Sequence, residues 1–209
     1  MKLACPAPAD EAPRRQTPHR LRCDRRRTDE ELEVELQGDH AISIRHVRPA
    51  DREAWVQLRQ ALWPEGSESE HSAEADRFFR GASTEPLAVL VAEDPETGLI
   101  GFVEVSIRSY AEGCVTSRVG YLEGWFVAPG ARRRGTGRAL VRAAERWARS
   151  QRCPEFASDT EAGNRQSALA HRALGFAEVG VVRCFRKDLA AQDEAAGPGV
   201  RGGPAVAGD

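Results

Sequence analysis

The sequence is poor in lysine, with only Lys2 and Lys187, although Lys and Arg together number 30 among 209 residues. These cations are balanced by 32 carboxylates, so the formal net charge is −2. A chain without a basic excess gives no global indication of a nucleic-acid partner. No apolar run approaches the ~20 residues that a membrane-spanning helix needs, so we expect no membrane partner.

The cysteines are few, odd in number and scattered without the spacing of metal ligands. They are Cys5, Cys23, Cys114, Cys153 and Cys184. Such cysteines are typical of reduced thiols in a cytoplasmic protein, and they predict neither a disulfide framework nor a metal site.

The two ends of the chain lack the apolar residues that a folded core needs. Residues 1–40 are rich in Pro, Arg and acidic residues and contain no apolar segment of a secretory signal, which predicts a disordered extension. Residues 190–209 are rich in Gly and Ala and predict a disordered tail. We therefore expect one folded domain over residues 41–189.

Within this domain, strand-like and helix-like segments alternate. Hydrophobic patterning predicts strands over residues 42–47, 87–92, 99–108, 119–127, 154–158 and 176–185. Helices are predicted from Pro49 through Leu62, over residues 75–80, after Gly137, and over residues 164–174, where Gly175 ends the helix. Residues 65–74 are predicted to form an acidic loop. This order predicts a mixed α/β domain.

The most informative segment is the strand over residues 122–127 with the Arg/Gly loop over residues 132–137 that follows it. Glycines permit tight turns and close approach of a ligand, and the N-terminus of the following helix attracts phosphate. The Walker pattern is excluded because no Lys follows the glycines, and the dinucleotide fingerprint because Leu140 stands where a third Gly is needed.

The remaining pattern, Arg-x-x-Gly-x-Gly between a strand and a helix, resembles the pyrophosphate loop of the GNAT superfamily of N-acetyltransferases. The resemblance implies a mixed, mostly antiparallel central sheet with helices on both faces. It also implies a split between two parallel strands that holds acetyl-CoA.

A narrower resemblance rests on further segments that occur in the same order. These are residues 62–63 (Leu-Trp), 104–108 (Glu-Val-Ser-Ile-Arg), 119–124 (Val-Gly-Tyr-Leu-Glu-Gly), 155–159 (Glu-Phe-Ala-Ser-Asp) and 171–176 (His-Arg-Ala-Leu-Gly-Phe). Together they are similar to the chromosomal aminoglycoside 6'-N-acetyltransferases. This resemblance implies acetylation of the 6'-amino group of aminoglycoside antibiotics, hence resistance, and a homodimer.

The resemblance places acetyl-CoA on the strand end and the loop. It implies cofactor contacts from Trp125, Phe126, Val127, Arg132, Arg133, Arg134, Gly135, Thr136, Gly137, Arg138 and Asn164. A backbone N–H near Val127 would polarise the thioester carbonyl, and the loop amides would hold the pyrophosphate. Asn164 is equally typical of a helix N-cap, and both roles can coexist.

The acceptor side should be acidic, because aminoglycosides carry several ammonium groups and the reacting amine must lose a proton. We expect Asp159 to bind the reactive amine and Glu104 or Glu123 to act as the base. Glu104 could instead be a solvent-facing strand residue. Trp63 and Tyr110 are aromatic candidates for contact with a sugar ring, with core packing as the alternative. The resemblance implies a substrate contact from His71.

Two positions depart from the family pattern, and two further hypotheses remain open. Related enzymes usually carry an acid at the position of Gly180 and a tyrosine at that of Cys184, a candidate general acid. The chain could therefore acetylate another small amine. It could also be a non-catalytic acyl-CoA-binding protein whose Arg cluster over residues 20–27 binds nucleic acid.

Overall fold

The computed structural model of the chain describes residues 42–188. Among these, residues 42–178 belong to one compact unit, and residues 179–188 belong to a second. The strands are β1 (Ser43–His46), β2 (Ala88–Asp94), β3 (Gly98–Arg108), β4 (Val119–Val127) and β5 (Glu155–Ser158). The helices are α1 (Arg52–Leu62), α2 (Glu68–Phe79), α3 (Thr136–Ser150) and α4 (Arg165–Ala173).

The five strands form one sheet in the order β1-β2-β3-β4-β5. The first four are antiparallel neighbours, and β5 pairs parallel to β4. The mixed, mostly antiparallel sheet expected from the sequence is confirmed.

Apolar side chains on the two faces of the sheet form two cores. In β2, Leu90 and Ala92 face the core that contains α3, whereas Val89 and Val91 face the core that contains α1 and α2. This strand is buried on both faces, which explains its continuous apolar run. The helices therefore cover both faces of the sheet, as predicted.

The acidic segment before residue 75 is helical, so the predicted loop over residues 65–74 is wrong. Ser67 caps α2 by accepting from the Glu70 N–H, and the Glu70 carboxylate returns to the Ser67 N–H at 2.8 Å. Only His71 and Ala75 of this helix are buried. The apolar stripe of α2 is short because only one narrow side of the helix packs against α1. A helix with so few buried residues shows little hydrophobic periodicity in the sequence.

The sixth predicted strand, over residues 176–185, is also wrong. Residues 177–188 contain neither helix nor strand. Apolar alternation indicates which side chains share a face, but a strand also needs a partner for its backbone groups. The turn before this segment is as expected: Gly175 takes a φ of 95°, and the Phe176 N–H donates to the His171 carbonyl at 3.1 Å.

The described residues contain neither a membrane-spanning helix nor a cluster of metal ligands. Across residues 42–188, no helix combines the length and apolar character that a membrane crossing requires. In the same part of the chain, no group of three or more His, Cys, Asp or Glu side chains is placed to hold a metal ion.

Candidate active site

The sheet opens at the carboxyl ends of β4 and β5. The parallel ladder runs from Val119 opposite Glu155 to Leu122 opposite Ser158 and stops there. The register between β3 and β4 shifts at the same level, because Glu123 is an extra residue between the pairs at Leu122 and Gly124. A bulge bends a strand and redirects its end. Residues 123–127 therefore line a gap on the β5 side.

The backbone groups that face this gap follow from strand alternation. The Ala128 N–H donates to the Ile100 carbonyl at 2.8 Å, so every second residue before it also turns its backbone groups toward β3. Phe126 is one of these, since its carbonyl oxygen lies 2.7 Å from a β-carbon built on Gly101. Trp125 and Val127 turn theirs toward the gap. A contact of Phe126 with the cofactor stays a prediction, and its backbone groups face β3.

The Val127 backbone is partly engaged by the loop that follows. Arg132 Nε donates to the Val127 carbonyl at 2.8 Å, which ties the start of the loop to the edge of the gap. The Val127 N–H lies on the same side of the strand. It is therefore placed to donate to a carbonyl in the gap.

The loop over residues 132–135 bends sharply into α3. Arg133 and Gly135 take positive φ values of 62° and 87°. The first bond of the helix runs from the Ala139 N–H to the Gly135 carbonyl at 3.0 Å. The N–H groups of residues 136–138 precede that bond and point out of the helix end, where they can bind an anion.

The side chains of the Arg/Gly loop and of the first turn of α3 differ in their contacts and exposure. Arg132, Arg133 and Arg134 are exposed beside the helix end and add positive charge. Thr136 is buried, and its hydroxyl donates to the Ala131 carbonyl at 3.2 Å, so it braces the loop. Arg138 Nη2 donates to the Ala173 carbonyl at 3.4 Å and links α3 to the end of α4.

Gly137 is required because Trp125 packs on it. A β-carbon at this position would lie 2.8 Å from the Trp125 indole. The same indole contacts the His171 ring edge to face at 5.6 Å. The aromatic wall of the gap and the anion-binding helix end are therefore one packed unit.

Asn164 caps α4, accepting a hydrogen bond from the Ser167 N–H at 3.0 Å. The N-cap role expected for this residue is thus observed. Its side chain remains exposed, so a cofactor contact stays a prediction.

Glu104 lies on β3 and is almost fully buried, so the solvent-facing alternative is wrong. Its Oε1 accepts from Trp55 Nε1 at 3.0 Å and from Arg59 Nη1. Arg59 is also buried and makes a second ion pair with Glu74. Burial raises the pKa of Glu104 to about 7, although Arg59 and Trp55 oppose the shift.

Glu123, the extra residue of the bulge, is held by neighbours on β3. Its carboxylate accepts from the Ser106 hydroxyl and pairs with Arg108, whose Nε lies 3.0 Å from Oε1. The Arg108 guanidinium stacks on the Tyr121 ring at 3.5 Å from its centroid. The bulge thus presents a carboxylate with a fixed orientation.

Asp159 follows directly after β5 and is exposed. It interacts with the Tyr121 hydroxyl: burial, with the added negative field of Asp159, raises the pKa of Tyr121. Tyr121 therefore connects Asp159 with the Arg108–Glu123 pair.

A cavity of about 230 Å³ lies between α1, α2 and the sheet. Its lining is Arg59, Trp63, Glu74, Arg77, Ser83, Glu85, Pro86, Glu104 and Glu123. Four of these residues are carboxylates and two are arginines, so the cavity suits a ligand with positively charged groups. The structure thus brings Glu104, Glu123 and Trp63 together.

Among the three substrate candidates with rings, only Trp63 lines this cavity. Its ring lies under the Arg59 guanidinium at 4.9 Å and meets Phe102 edge to face at 6.2 Å. His71 is buried on α2, where its Nε2 lies 3.1 Å from the Trp63 carbonyl oxygen, so it supports Trp63 and is not a loop residue. Tyr110 is 66% exposed and lies outside the cavity lining.

Three further residues organise this site: Arg59, Arg108 and Tyr121. Arg59 follows Trp55 by four positions, the spacing of one helix face, and this spacing could have indicated their shared contact with Glu104. Arg108 and Tyr121 become partners only through the β3–β4 register, for which the sequence carries no local signal.

An anion-binding helix end, a strand gap with free backbone donors and an adjacent acidic cavity fit an acyl-CoA and a cationic acceptor. The acetyltransferase (GNAT) family model matches residues 55–176 of the chain. The chain belongs to the GNAT family. Its sheet, its split and its Arg/Gly loop are accordingly those of a GNAT acetyltransferase.

Relatives of this GNAT chain carry a more specific name. This chain is 50% identical over 151 residues to an aminoglycoside N(6')-acetyltransferase type 1 of Klebsiella aerogenes. The match spans 72% of this chain and 99% of that protein. It is 41% identical to the protein of the same name from Stenotrophomonas maltophilia, spanning 71% of this chain and 95% of that protein.

The chain is also similar in fold to solved structures of aminoglycoside N-acetyltransferases. Aminoglycoside N-acetyltransferase AAC(6')-Iy in complex with CoA is 36% identical, with a TM-score of 0.67 over 72% of this chain and 97% of that one. The same enzyme in complex with the bisubstrate analogue CoA-S-monomethyl-acetylneamine is 37% identical. Its TM-score is 0.65, over 70% of this chain and 98% of that chain.

Proposed function

We propose that this chain is an acetyl-CoA-dependent N-acetyltransferase that acetylates the 6'-amino group of aminoglycoside antibiotics and so confers resistance. The observation that carries the proposal is the adjacency of the strand gap to the acidic cavity, which share the bulge residue Glu123. Relatives up to 50% identical bear the name of this activity. A structural relative binds a CoA–acetylneamine bisubstrate analogue.

Acetyl-CoA is held by backbone groups and by the helix end. Its pyrophosphate binds the N–H groups of residues 136–138 and the arginines of the loop, where the helix dipole favours negative charge. Its pantetheine arm lies along Trp125 and Val127, whose backbone groups replace those of a neighbouring strand. Asn164 lies at the start of α4 and contacts the arm from the other side.

The Val127 N–H polarises the thioester. A donor aimed at the carbonyl oxygen stabilises the negative charge that develops there when the amine attacks. The neutral amine attacks the carbonyl carbon, the C–N bond forms, and the CoA sulfur leaves with the electron pair of the C–S bond. The extra proton of the nitrogen must then be removed.

The carboxylates bind and orient the cationic acceptor. Asp159 is exposed beside the gap and is our candidate for the 6'-ammonium group. Glu104 and Glu123 are the carboxyl groups expected from the sequence to act as the base. Their oxygens are engaged by Arg59 and Trp55 and by Ser106 and Arg108, respectively. These contacts hold both carboxyl groups in fixed orientations at the cavity wall, which suits the binding of ammonium groups.

The deciding experiment is tobramycin-dependent release of CoA thiol by the purified protein, with Asp159→Asn alongside. We expect release by the wild type and its collapse in the variant, with acetyl-CoA binding unchanged by calorimetry. Glu161→Gln is the matched control, because Glu161 is an exposed acid two residues further along and should be dispensable.

The outcome separates the candidate functions. Acetyl-CoA binding without thiol release on tobramycin, kanamycin or gentamicin would contradict the aminoglycoside proposal and favour another small amine. Acetyl-CoA binding without release on any amine would favour a non-catalytic acyl-CoA-binding protein. Mass spectrometry of the product should place the acetyl group on the 6'-nitrogen.

We further propose a homodimer in the cytoplasm. β5 is a four-residue edge strand of the sheet, paired on one side only by β4. In residues 179–188, Val181 and Phe185 are 72% and 92% exposed. An unpaired strand edge and exposed apolar side chains are both stabilised when a second copy of the chain packs against them. Light scattering coupled to gel filtration should give twice the mass of the 22.9 kDa chain.

A further inference from the structure

A second polar cluster lies at the gap, where α4 meets the end of β5. His171 of α4 has Nε2 3.0 Å from the hydroxyl oxygen of Ser158, the last residue of β5. Its Nδ1 lies 2.8 Å from the Ser167 backbone carbonyl oxygen one helical turn earlier. Neither His171 nor Ser158 has a role in the function proposed above.

The hydrogen bonds determine where the imidazole carries its proton. Nδ1 lies 2.8 Å from the Ser167 carbonyl oxygen and 3.3 Å from the Ser167 hydroxyl oxygen. A carbonyl oxygen only accepts, so the shorter contact assigns the proton to Nδ1 as the donor. In the neutral ring, Nε2 is then a free acceptor, and the Ser158 hydroxyl donates to it. Two other acceptors for this hydroxyl, the Leu122 and Asp159 carbonyls, are more distant at 3.3 and 3.5 Å.

The pair stands where the two strands separate. Ser158 and Leu122 are the last partners of the β4–β5 ladder, and the open stretch with Trp125 and Val127 begins just beyond them. The His171 ring touches the Trp125 indole at 5.6 Å between centroids. Asp159, our candidate for the amine, is the next residue after Ser158. The hydroxyl is therefore at the junction of the acyl-CoA gap and the acceptor site.

We propose that Ser158 and His171 form the proton relay of acetyl transfer. When the C–N bond has formed, Ser158 takes the extra proton from the nitrogen and passes its own hydroxyl proton to Nε2 of His171. When the C–S bond breaks, the imidazolium returns its proton through Ser158 to the CoA sulfur. The proton lost by the nitrogen is gained by the sulfur, and both side chains are regenerated. This proposal rests on the proposed function.

The imidazole of His171 is suited to relay a proton by its hydrogen bonds. Its Nε2 can take up a proton from the Ser158 hydroxyl and release it again while Nδ1 stays bonded to the Ser167 carbonyl. Charged groups on the adjoining elements are Asp159, Arg138, whose Nη2 donates to the Ala173 carbonyl, and Arg172, which is paired with Glu178. Among the contacts of residues 42–188, His171 makes no ion pair with any of them.

The test compares His171→Gln and Ser158→Ala with the wild type by the single-turnover rate constant of acetyl transfer to tobramycin between pH 5.5 and 9. We expect each variant to lose about 10²-fold in this rate constant. We also expect each to lose the rise with pH that the imidazole gives to the wild type. The double variant should lose no more than either single variant, because the two groups act as one unit. The Kd of CoA should stay within about threefold.

The possible failures are distinguishable. Wild-type protein without tobramycin-dependent turnover would overturn the proposed function itself. Active wild type with variants within threefold of its rate would overturn the relay alone. A slower variant that keeps the wild-type pH profile would assign a structural role to the pair and overturn the relay as well. Ser158→Ala removes only a hydroxyl, so it decides the matter if His171→Gln fails to fold.

Discussion

Trp63 lies directly on Gly124: a β-carbon at residue 124 would be 2.6 Å from the edge of the indole ring. The contact joins the end of α1 to the strand residue just after the bulge. It explains why glycine follows Glu123, because any side chain would push Trp63 out of its place in the cavity wall.

We expect Gly124→Ala to weaken aminoglycoside binding more than acetyl-CoA binding. The added methyl group overpacks the contact, at a cost of about 1–3 kcal/mol in the free energy of unfolding. Displacement of Trp63 should raise the KM for tobramycin about tenfold, because the acceptor loses its oriented wall. Steady-state kinetics with each substrate varied in turn measures both effects.

Gly163→Ala is the matched control, because a β-carbon there meets no atom within 4 Å. Its melting temperature and KM for tobramycin should equal those of the wild type. An unchanged KM in Gly124→Ala would show that Trp63 does not shape the acceptor site.

The buried carboxyl of Glu104 makes stability depend on pH. Burial raises its pKa from the ordinary 4.5 to about 7, so the folded protein binds this proton more tightly than the unfolded chain. The stabilisation is full below about pH 4.5 and is lost as the pH rises through 7. The loss is on the order of 3 kcal/mol.

Glu104→Gln should remove this dependence. The difference in unfolding free energy between wild type and variant, measured by urea denaturation, should change across pH 4.5–7 in favour of the variant as the pH rises. Glu112→Gln, on an exposed loop, should leave the wild-type profile unchanged. If the free energies of unfolding of wild type and Glu104→Gln changed in parallel with pH, Arg59 would keep the carboxylate ionised throughout this range.

The turn at Gly135 should control the affinity for the CoA pyrophosphate. Its φ of 87° costs an alanine about 1–2 kcal/mol, so Gly135→Ala should distort the start of α3 and weaken CoA binding. Calorimetric titration with CoA measures the loss. S-acetylpantetheine lacks the pyrophosphate and should be used equally well by variant and wild type.

Gly130→Ala serves as the control for this loop, since a β-carbon at Gly130 meets nothing within 4 Å. Equal losses of activity with acetyl-CoA and S-acetylpantetheine in Gly135→Ala would indicate general damage to the gap. They would count against a pyrophosphate site at the helix end.

Removal of residues 1–40 should leave turnover unchanged. These residues lie outside the described part of the chain, and the gap, the loop and the cavity are all built from residues 42–178. Thiol release by the shortened protein, measured at saturating tobramycin, should match that of the full chain. A large loss of turnover would show that the extension contributes to the site, and loss of nucleic-acid retention alone would revive the basic-arm hypothesis.

The order of segments along the chain predicted β4, the Arg/Gly loop and α3, which the structure contains in that order. A strand followed by glycines and then by an amphipathic helix places backbone N–H donors at the helix end, independently of the rest of the fold. The sequence was therefore enough to predict this unit. The resemblance over residues 62–176 likewise placed Glu104, Glu123 and Trp63 in one region, and the cavity lining contains all three.

Only the tertiary structure decided what these carboxylates contact. Glu104 meets Arg59 across 45 positions and Glu123 meets Arg108 across 15, through helix packing and a bulged register respectively. The burial that raises the pKa of Glu104 also comes from elements distant in the chain. His71 and α2 show the same limit, because an acidic segment becomes a helix through its Ser67 cap and its contact with α1. Pairing and burial are properties of the packed chain, and no local pattern encodes them.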